Sequence, residues 1–262
     1  MLKHHEESLA IMRAYFESKP EVIALIFGGS VAKGNAHPDS DLDAMVVIED
    51  EAYAQRVRAG TAVETIGGLC TYEGGYFDVK YMTKDFLRAA ADHASEPTRN
   101  AFAGSRVIFS RDPEIGEIAA RIPVFQERER EEKMLSFYAN FSLNYRYFLQ
   151  SCKPEGYMRL HAVGEVIYSL YRMVLQEGGV LFPCNRRLEE TVAKLSPQTA
   201  ELTRLGRALA QSQSMEDCER FVACFEKLTT WKPPEDYAEV LTAYARDFEQ
   251  WWLAPRPNIN EW

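Results

Sequence analysis

Apolar and polar residues alternate in blocks along the first half of the chain and predict a mixture of strands and helices. Short apolar runs at 22–27 and 44–48 predict two buried strands, and the stretch 64–82, with its two Gly–Gly pairs, predicts a hairpin. Helices are expected at 3–18, 51–59 and 85–91. This order is typical of an α+β or α/β domain with a short mixed sheet flanked by helices.

The pattern changes in the second half of the chain, where strand-like runs disappear after about residue 127. Apolar residues recur at helical spacing through 159–177, and Gly178–Gly179 supplies the expected helix end. Further helices are expected at 127–151, 187–195, 198–211, 215–228 and 235–253. We therefore predict an all-helical bundle, with one domain at 1–122 and a helical domain at 123–262.

Composition indicates an ordinary globular chain without a membrane segment. Of the 262 residues, 46% are apolar and 26% charged, and no apolar run approaches the ~20 residues that span a bilayer. Charges run throughout the first twenty residues, so no signal-peptide core is expected there. The five cysteines form no CxxC pair, which is typical of free thiols in a reducing compartment. We expect a cytoplasmic protein.

The net charge of −9 limits the partners that the surface attracts. Residues 1–125 carry 13 Lys and Arg against 19 Asp and Glu, and residues 126–262 carry 17 against 20. Proteins that bind nucleic acids gain most of their affinity from basic residues that neutralise phosphates. A nucleic-acid partner is therefore not expected, whereas an acidic surface favours small cationic partners.

The stretch IFGGSVAKGNAHPDSDLDAMVVI, residues 26–48, joins the first two predicted strands. The first strand stops at Gly28–Gly29, where glycine allows a tight turn and a close approach of the backbone to a ligand. Ser30 then falls at the start of a short helix, where backbone N–H groups and a hydroxyl suit phosphate oxygens.

Two acids stand at the start of the second strand, where burial is expected. Asp41 and Asp43 are two residues apart on a strand and share one face, while Leu42 faces the apolar interior. Neighbouring carboxylates repel each other, so one of them ordinarily takes up a proton. A divalent cation removes this conflict, and carboxylates with substrate phosphates are the ligands that Mg²⁺ prefers.

A Walker A loop is one alternative for this stretch. Gly29 and Gly34 have the required separation, but Asn35–Ala36 occupies the positions of the essential Lys and Ser/Thr. The lysine that reaches the phosphates and the hydroxyl that binds magnesium are missing, so this interpretation fails.

An EF-hand is the second alternative. Asp39, Asp41 and Asp43 would occupy positions 1, 3 and 5, but Ala44 replaces the glycine at position 6 and Asp50 replaces the glutamate at position 12. A strand-like sequence also fills the second half of the loop. This interpretation is not favoured.

The pattern G-S-x10-D-L-D resembles the signature of the polymerase-β-type nucleotidyltransferase superfamily. The stretch GGSVAKGNAHPDSDLD is similar to small bacterial members, which include aminoglycoside and lincosamide nucleotidyltransferases. Lys33 and Gly34 match a basic residue and a glycine of the family pattern, whereas Gly28 replaces the bulky apolar residue of many members. The resemblance covers roughly residues 20–85; the helical half resembles such enzymes only in architecture.

The superfamily also requires a third carboxylate on a neighbouring strand. The stretch YFDVKYM offers Asp78, which alternation places on one face with Tyr76 and Lys80. Glu64 and Glu73 lie in the same hairpin and stay open as alternatives.

The resemblance implies Mg²⁺-dependent transfer of a nucleoside monophosphate, AMP from ATP or the equivalent from another nucleoside triphosphate. The acceptor would be a hydroxyl of a small cationic molecule such as an aminoglycoside-like antibiotic, bound in the cleft between the domains. Two Mg²⁺ ions would be held by Asp41, Asp43 and Asp78, and the nucleotide by Gly28, Gly29, Ser30 and Lys33. The alternative is a non-catalytic or regulatory nucleotide-binding module, including antitoxin-like AMPylation of a partner protein.

A polar ridge on the predicted helix 159–177 carries the last candidate. His161, Glu165 and Arg172 recur at helical spacing, which predicts a solvent-facing stripe. Related enzymes often use a carboxylate as the general base that activates the acceptor, and Glu165 is the candidate for this catalytic role. Both interpretations stay open at this point.

Overall fold

The computed structural model describes residues 1–253, and the chain divides into two units. The first unit comprises Met1–Val124 and the second begins at Phe125. Each helix within residues 1–253 is too short or too polar to cross a bilayer. All five cysteines are free thiols.

The first unit is a five-stranded sheet with helices on both faces. Its strands are β1 (Val22–Gly28), β2 (Leu42–Ile48), β3 (Val63–Gly67), β4 (Tyr76–Met82) and β5 (Arg106–Ser110). Its helices are α1 (Lys3–Glu17), α2 (Gly29–Ala32), α3 (Asp50–Ala59), α4 (Lys84–His93), α5 (Glu96–Phe102) and α6 (Glu114–Arg121).

The sheet is mixed, as the sequence predicts, and its strand order is β3-β4-β2-β1-β5. β2 and β4 are parallel, and the other neighbours are antiparallel. One face packs on α1 through residues such as Phe16, Leu42 and Phe77, and the other packs on α4 and α6 through Met45 and Leu87. Both faces are covered, which explains why β1 and β2 are apolar almost throughout.

Three elements of this unit, α5, β5 and α6, have no counterpart in the sequence-based prediction. β5 is an edge strand in which only Phe109 is buried, so it lacks a clear alternation of apolar and polar residues. The helix α6 has only eight residues and buries Ile115, Ile118 and Ala119. Such short segments carry too few periodic positions to indicate an element.

The second unit is helical, which confirms the prediction of a helical C-terminal half. Its helices are α7 (Arg130–Ser142), α8 (Gly156–Glu177), α9 (Asn185–Ala193), α10 (Pro197–Ser212), α11 (Met215–Leu228) and α12 (Tyr237–Tyr244). A π-helical segment, Leu143–Cys152, continues α7, and a second one, Ala245–Glu249, continues α12. The core joins the buried faces of α7, α8, α10 and α11.

Arg172 on α8 corrects the solvent-facing stripe that the sequence suggests. Its side chain is fully buried, with the guanidinium 4.0 Å from the ring centre of Phe182 and 4.4 Å from that of Phe137. It also donates a hydrogen bond to the hydroxyl of Tyr168. A planar guanidinium stacks well on aromatic rings, so charge alone did not indicate exposure.

Candidate active site

The strands β2 and β4 bring two of the predicted acids together. In their parallel pairing Asp43 lies directly opposite Asp78, and neighbouring strands are about 4.8 Å apart. Leu42 and Phe77, the residues before them, are fully buried on the opposite face of the sheet. The side chains of Asp43 and Asp78 therefore share one face, and the predicted alternation along β4 is confirmed.

Asp41 lies one residue before β2 and is half-buried, as are Asp43 and Asp78. Burial is the largest cause that raises the pKa of the Asp43 carboxyl, followed by the negative charge of Asp41. The positive charge of Lys80 lowers this pKa, and the negative charge of Asp78 raises it further. The repulsion among neighbouring carboxylates that the sequence predicts is thus centred on Asp43.

Glu64 lies on the other face of the sheet from this cluster. It is opposite Val79 in the β3–β4 pairing, accepts a hydrogen bond from the Tyr81 hydroxyl and pairs with Arg56 at 3.7 Å. Glu73 is exposed in the β3–β4 connection. The register therefore leaves Asp78 as the acid of this hairpin that faces Asp43.

The two glycines at the end of β1 fit closely against the acids. Gly29 has a φ of +71°, and a Cβ at this position would lie 1.6 Å from Oδ2 of Asp43. Gly28 is opposite Asp43 in the β1–β2 pairing, and a Cβ there would lie 2.8 Å from the terminal methyl carbon of Met45. A side chain at position 28 would therefore displace the end of Met45.

Ser30 and Lys33 follow these glycines. Ser30 is the second residue of α2 and is half-buried. Lys33 is exposed, and its ammonium donates hydrogen bonds to the Asn100 carbonyl at 2.8 Å and to its side-chain oxygen at 3.0 Å. Asn100 belongs to α5, which the sequence did not predict, so this contact could not be anticipated.

Tyr76 and Lys80 are polar neighbours of the acids and share the face of β4 that carries Asp78. A hydrogen bond to Asp41 and the charge of that carboxylate raise the pKa of the Tyr76 hydroxyl. The ammonium of Lys80 lies 3.4 Å from Oδ2 of Asp78. Both residues flank Asp78 on β4, so strand alternation was the signal that could have identified them.

The three aspartates supply carboxylate oxygens, which are the kind of donor that a divalent cation binds. Within residues 1–253, no three His, Cys, Asp or Glu side chains form a ready-made metal-binding group. The register places Asp43 and Asp78 opposite each other on neighbouring strands. Carboxylate oxygens are the ligands that Mg²⁺ prefers, and a cation would relieve the repulsion on Asp43.

Glu165, on α8 of the second unit, is held by an amide. Its half-buried carboxylate accepts a hydrogen bond of 2.6 Å from the side chain of Asn140. Asn140 also donates to Ser169 at 2.9 Å, and its own oxygen accepts a hydrogen bond of 2.9 Å from Asn144. Glu165 is thus oriented by a polar network that joins α7, the following π-helical segment and α8.

Neither of two clefts in the structure contains the three aspartates. One, of about 740 Å³, is lined by residues of the second unit that include Glu131, Trp231 and Glu239. The other, of about 480 Å³, lies in the first unit and is lined by residues that include Lys84 and Arg111. The acids at β2 and β4 therefore form a separate candidate site.

The glycines and aspartates of this site lie within a segment that matches a known protein family. Residues 9–94 match the model of the family described as nucleotidyltransferase domain. The match covers 86 of the 262 residues of the chain. The matched residues contain β1, α2, β2 and β4, together with the glycines and acids described above. The match supports nucleotidyl transfer as the general activity.

Comparisons with whole proteins are more distant. No curated protein matches the chain. A nucleotidyltransferase-like protein from Exiguobacterium sibiricum is 14% identical to this chain, with a TM-score of 0.47. The matched region covers 97% of this chain and 81% of that protein. Spectinomycin adenyltransferase AAD(9) from Enterococcus faecialis was crystallised with ATP and spectinomycin. It is 13% identical to this chain, with a TM-score of 0.34, and the matched region covers 92% of this chain and 98% of that enzyme. At these TM-scores neither structure bears on the substrate.

Proposed function

We propose that the protein transfers a nucleoside monophosphate, AMP from ATP, to a hydroxyl of a small cationic acceptor in a Mg²⁺-dependent reaction. The observation that carries this proposal is the pairing of Asp43 with Asp78 on one face of the sheet, next to Asp41, inside a nucleotidyltransferase domain. ATP is the nucleotide that the resemblance of the glycine and aspartate motif implies.

In this proposal Asp41, Asp43 and Asp78 hold two Mg²⁺ ions. When bound, Mg²⁺ neutralises charge on the triphosphate, aids departure of pyrophosphate and lowers the pKa of the attacking hydroxyl. The backbone at Gly29 approaches Asp43 so closely that only glycine fits, which keeps the turn and the acid in one arrangement. Ser30 and Lys33 contact the phosphates.

The acceptor must lose its hydroxyl proton as the new bond to the α-phosphorus forms. A carboxylate acting as general base takes up this proton. Glu165, whose orientation is set by the hydrogen bond from Asn140, stays our candidate for that role. The proton passes from the acceptor oxygen to that base, and the bond between the α-phosphorus and the bridging oxygen of pyrophosphate breaks.

We infer the chemical class of the acceptor from the net charge of the chain. The net charge of −9 attracts cations and repels polyanions such as nucleic acids. A small molecule with amino groups and a free hydroxyl, of the aminoglycoside kind, combines the charge and the nucleophile that this reaction needs.

Pyrophosphate release across a panel of acceptors tests the proposal. ATP, Mg²⁺ and the protein are combined with aminoglycoside-like compounds, with neutral sugars as matched controls, and adducts are detected by mass spectrometry. Release that requires a cationic acceptor and is lost in Asp41→Asn supports the proposal. AMP found on a protein in place of a small molecule supports the regulatory alternative, and no release with any acceptor contradicts nucleotidyl transfer to this class of molecule.

A further inference from the structure

The loop that leads into Asp41 is held by two other elements of the first unit. Tyr72, in the connection between β3 and β4, donates a hydrogen bond of 2.5 Å from its hydroxyl to the Ser40 carbonyl. His4, on α1, bonds through its Nε2 to the Pro38 carbonyl at 2.9 Å. Both acceptors are backbone atoms within three residues of Asp41.

Aromatic packing fixes the side chains that make these bonds. The ring of Tyr72 lies 4.6 Å from that of His4 and 5.2 Å from that of the fully buried His5, centre to centre. The adjacent Thr71 is tied to α1 as well, because its hydroxyl donates to the His4 carbonyl at 3.1 Å and its N–H donates to Ser8 Oγ at 3.0 Å. The β3–β4 connection therefore rests on α1.

The bond to Ser40 acts on Asp41 through a planar group. The Ser40 carbonyl and the Asp41 N–H belong to the same peptide unit, which rotates as a whole. Fixing the carbonyl oxygen therefore fixes the direction in which the chain enters Asp41. Burial, aided by the neighbouring Cys70 and Asp41, raises the pKa of the Tyr72 hydroxyl, so it stays protonated and able to donate at neutral pH.

We propose that Tyr72 is a positioning residue for Asp41: its hydroxyl sets the peptide that precedes the acid, and losing that bond weakens Mg²⁺ binding although every ligand is still present. This role rests on the proposed function, since it concerns the same metal site. Tyr72 itself contacts neither substrate nor metal in this account.

The substitution Tyr72→Phe tests the proposal because it removes only the hydroxyl and keeps the ring that packs on His4 and His5. Losing one hydrogen bond changes a binding equilibrium by about three- to tenfold. We expect the Mg²⁺ concentration needed for half-maximal ATP-dependent stabilisation to rise by that factor, with the KM for Mg²⁺ rising in parallel and kcat recovered at high Mg²⁺. Hydrogen–deuterium exchange in peptides covering 37–43 should become faster.

Tyr81→Phe is the matched control. Tyr81 is buried, and its hydroxyl donates a hydrogen bond to the Glu64 carboxylate on the face of the sheet opposite Asp43 and Asp78. The variant should lose some thermal stability and keep the wild-type Mg²⁺ dependence. His4→Phe, which removes the bond to Pro38 and keeps an aromatic ring, should shift the Mg²⁺ dependence in the same direction as Tyr72→Phe.

The outcomes separate this inference from the proposed function. A wild-type Mg²⁺ dependence and unchanged exchange at 37–43 in Tyr72→Phe would overturn the positioning role alone. An equal weakening in Tyr81→Phe would also overturn it, because the effect would then reflect stability. If the wild-type protein itself shows no Mg²⁺-dependent stabilisation by ATP, the proposed function fails, and the positioning role for a metal ligand fails with it.

Discussion

Asp43 on β2 and Asp78 on β4 lie directly opposite each other in a parallel strand pair, on the same face of the sheet. Side chains in this relationship are near neighbours whatever their chemistry, and two acids there repel each other at neutral pH. Both carboxylates are half-buried, and burial raises the pKa of the Asp43 carboxyl. A bound cation is the simplest compensation for such an arrangement.

Asp78→Asn should abolish most nucleotidyl transfer without changing the fold. The amide has the shape of the carboxylate but no charge, and loss of one metal ligand should lower kcat at least about a hundredfold. Steady-state pyrophosphate release measures the effect. Asp39→Asn, which changes an exposed acid in the loop before β2, is the matched control and should keep activity. Near-normal turnover in Asp78→Asn would show that another group completes the site.

Asp43→Asn should make the metal-free protein more stable. Because burial and Asp41 raise the pKa of Asp43, its ionised form destabilises the fold, and the amide removes that charge. Solvent screens the partly exposed carboxylate, so the free energy of unfolding should rise by up to about 1 kcal/mol. Thermal unfolding in EDTA measures the difference, because each kcal/mol raises the midpoint of unfolding by about 2–4 °C in a protein of this size.

The pH dependence of this difference has a defined sign. A raised carboxyl pKa stabilises the fold below the ordinary pKa of about 4 and loses that contribution as pH rises through the folded-state value. The advantage of Asp43→Asn should therefore grow between about pH 4 and neutrality. A variant that is less stable than wild type at neutral pH would contradict the repulsion inferred at this site.

Gly29→Ala and Gly34→Ala separate backbone strain from a clash with the acid. Both glycines have positive φ, +71° and +78°, so alanine costs about 1–2 kcal/mol at either position. Only at Gly29 would the new Cβ meet Asp43, at 1.6 Å; nothing lies within 4 Å at Gly34. We expect Gly29→Ala to lose Mg²⁺-dependent ATP binding and Gly34→Ala to keep it, as measured by titration calorimetry. If the two variants bind ATP equally well with Mg²⁺, Gly29 is not part of the nucleotide site.

Glu165→Gln tests the assignment of the general base. The amide should lower kcat by about 10²–10⁴-fold while ATP binding persists, since only proton removal is lost. Glu177→Gln is the matched control, because Glu177 lies on the same helix, α8, and its carboxylate also accepts hydrogen bonds, at 2.9 and 3.1 Å from the N–H groups of Thr230 and Trp231. If both variants turn over equally, Glu165 serves the helix contact with Asn140 and not the reaction.

Much of this fold was predictable from the sequence because its buried strands and long helices repeat their patterns over several turns or residues. The runs at 22–27 and 44–48 became β1 and β2, and Asp78 was placed on the correct face by alternation along β4 alone. The glycine and aspartate spacing identified the domain that the family model matches.

The remaining features depend on contacts between segments distant in the chain, which local patterns do not encode. The edge strand β5 exposes most of its residues, and the bond of Lys33 to Asn100 depends on α5. Arg172 is buried against aromatic rings although its spacing indicated a polar ridge. The hydroxyl of Tyr72 bonds to Ser40, 32 positions away in sequence, and the connection that carries Tyr72 rests on α1.

The central claim is that the three aspartates bind Mg²⁺ together with a nucleoside triphosphate. The most direct test is the shift in the thermal midpoint that ATP produces, with Mg²⁺ and with EDTA, in wild type and in Asp41→Asn, Asp43→Asn and Asp78→Asn. A ligand at a hundred times its Kd stabilises the native state by about 2.7 kcal/mol. We predict a shift of this kind for wild type with Mg²⁺, little shift with EDTA, and its loss in each variant. A wild-type protein that ATP and Mg²⁺ do not stabilise, or variants that are stabilised as strongly as wild type, would contradict the account.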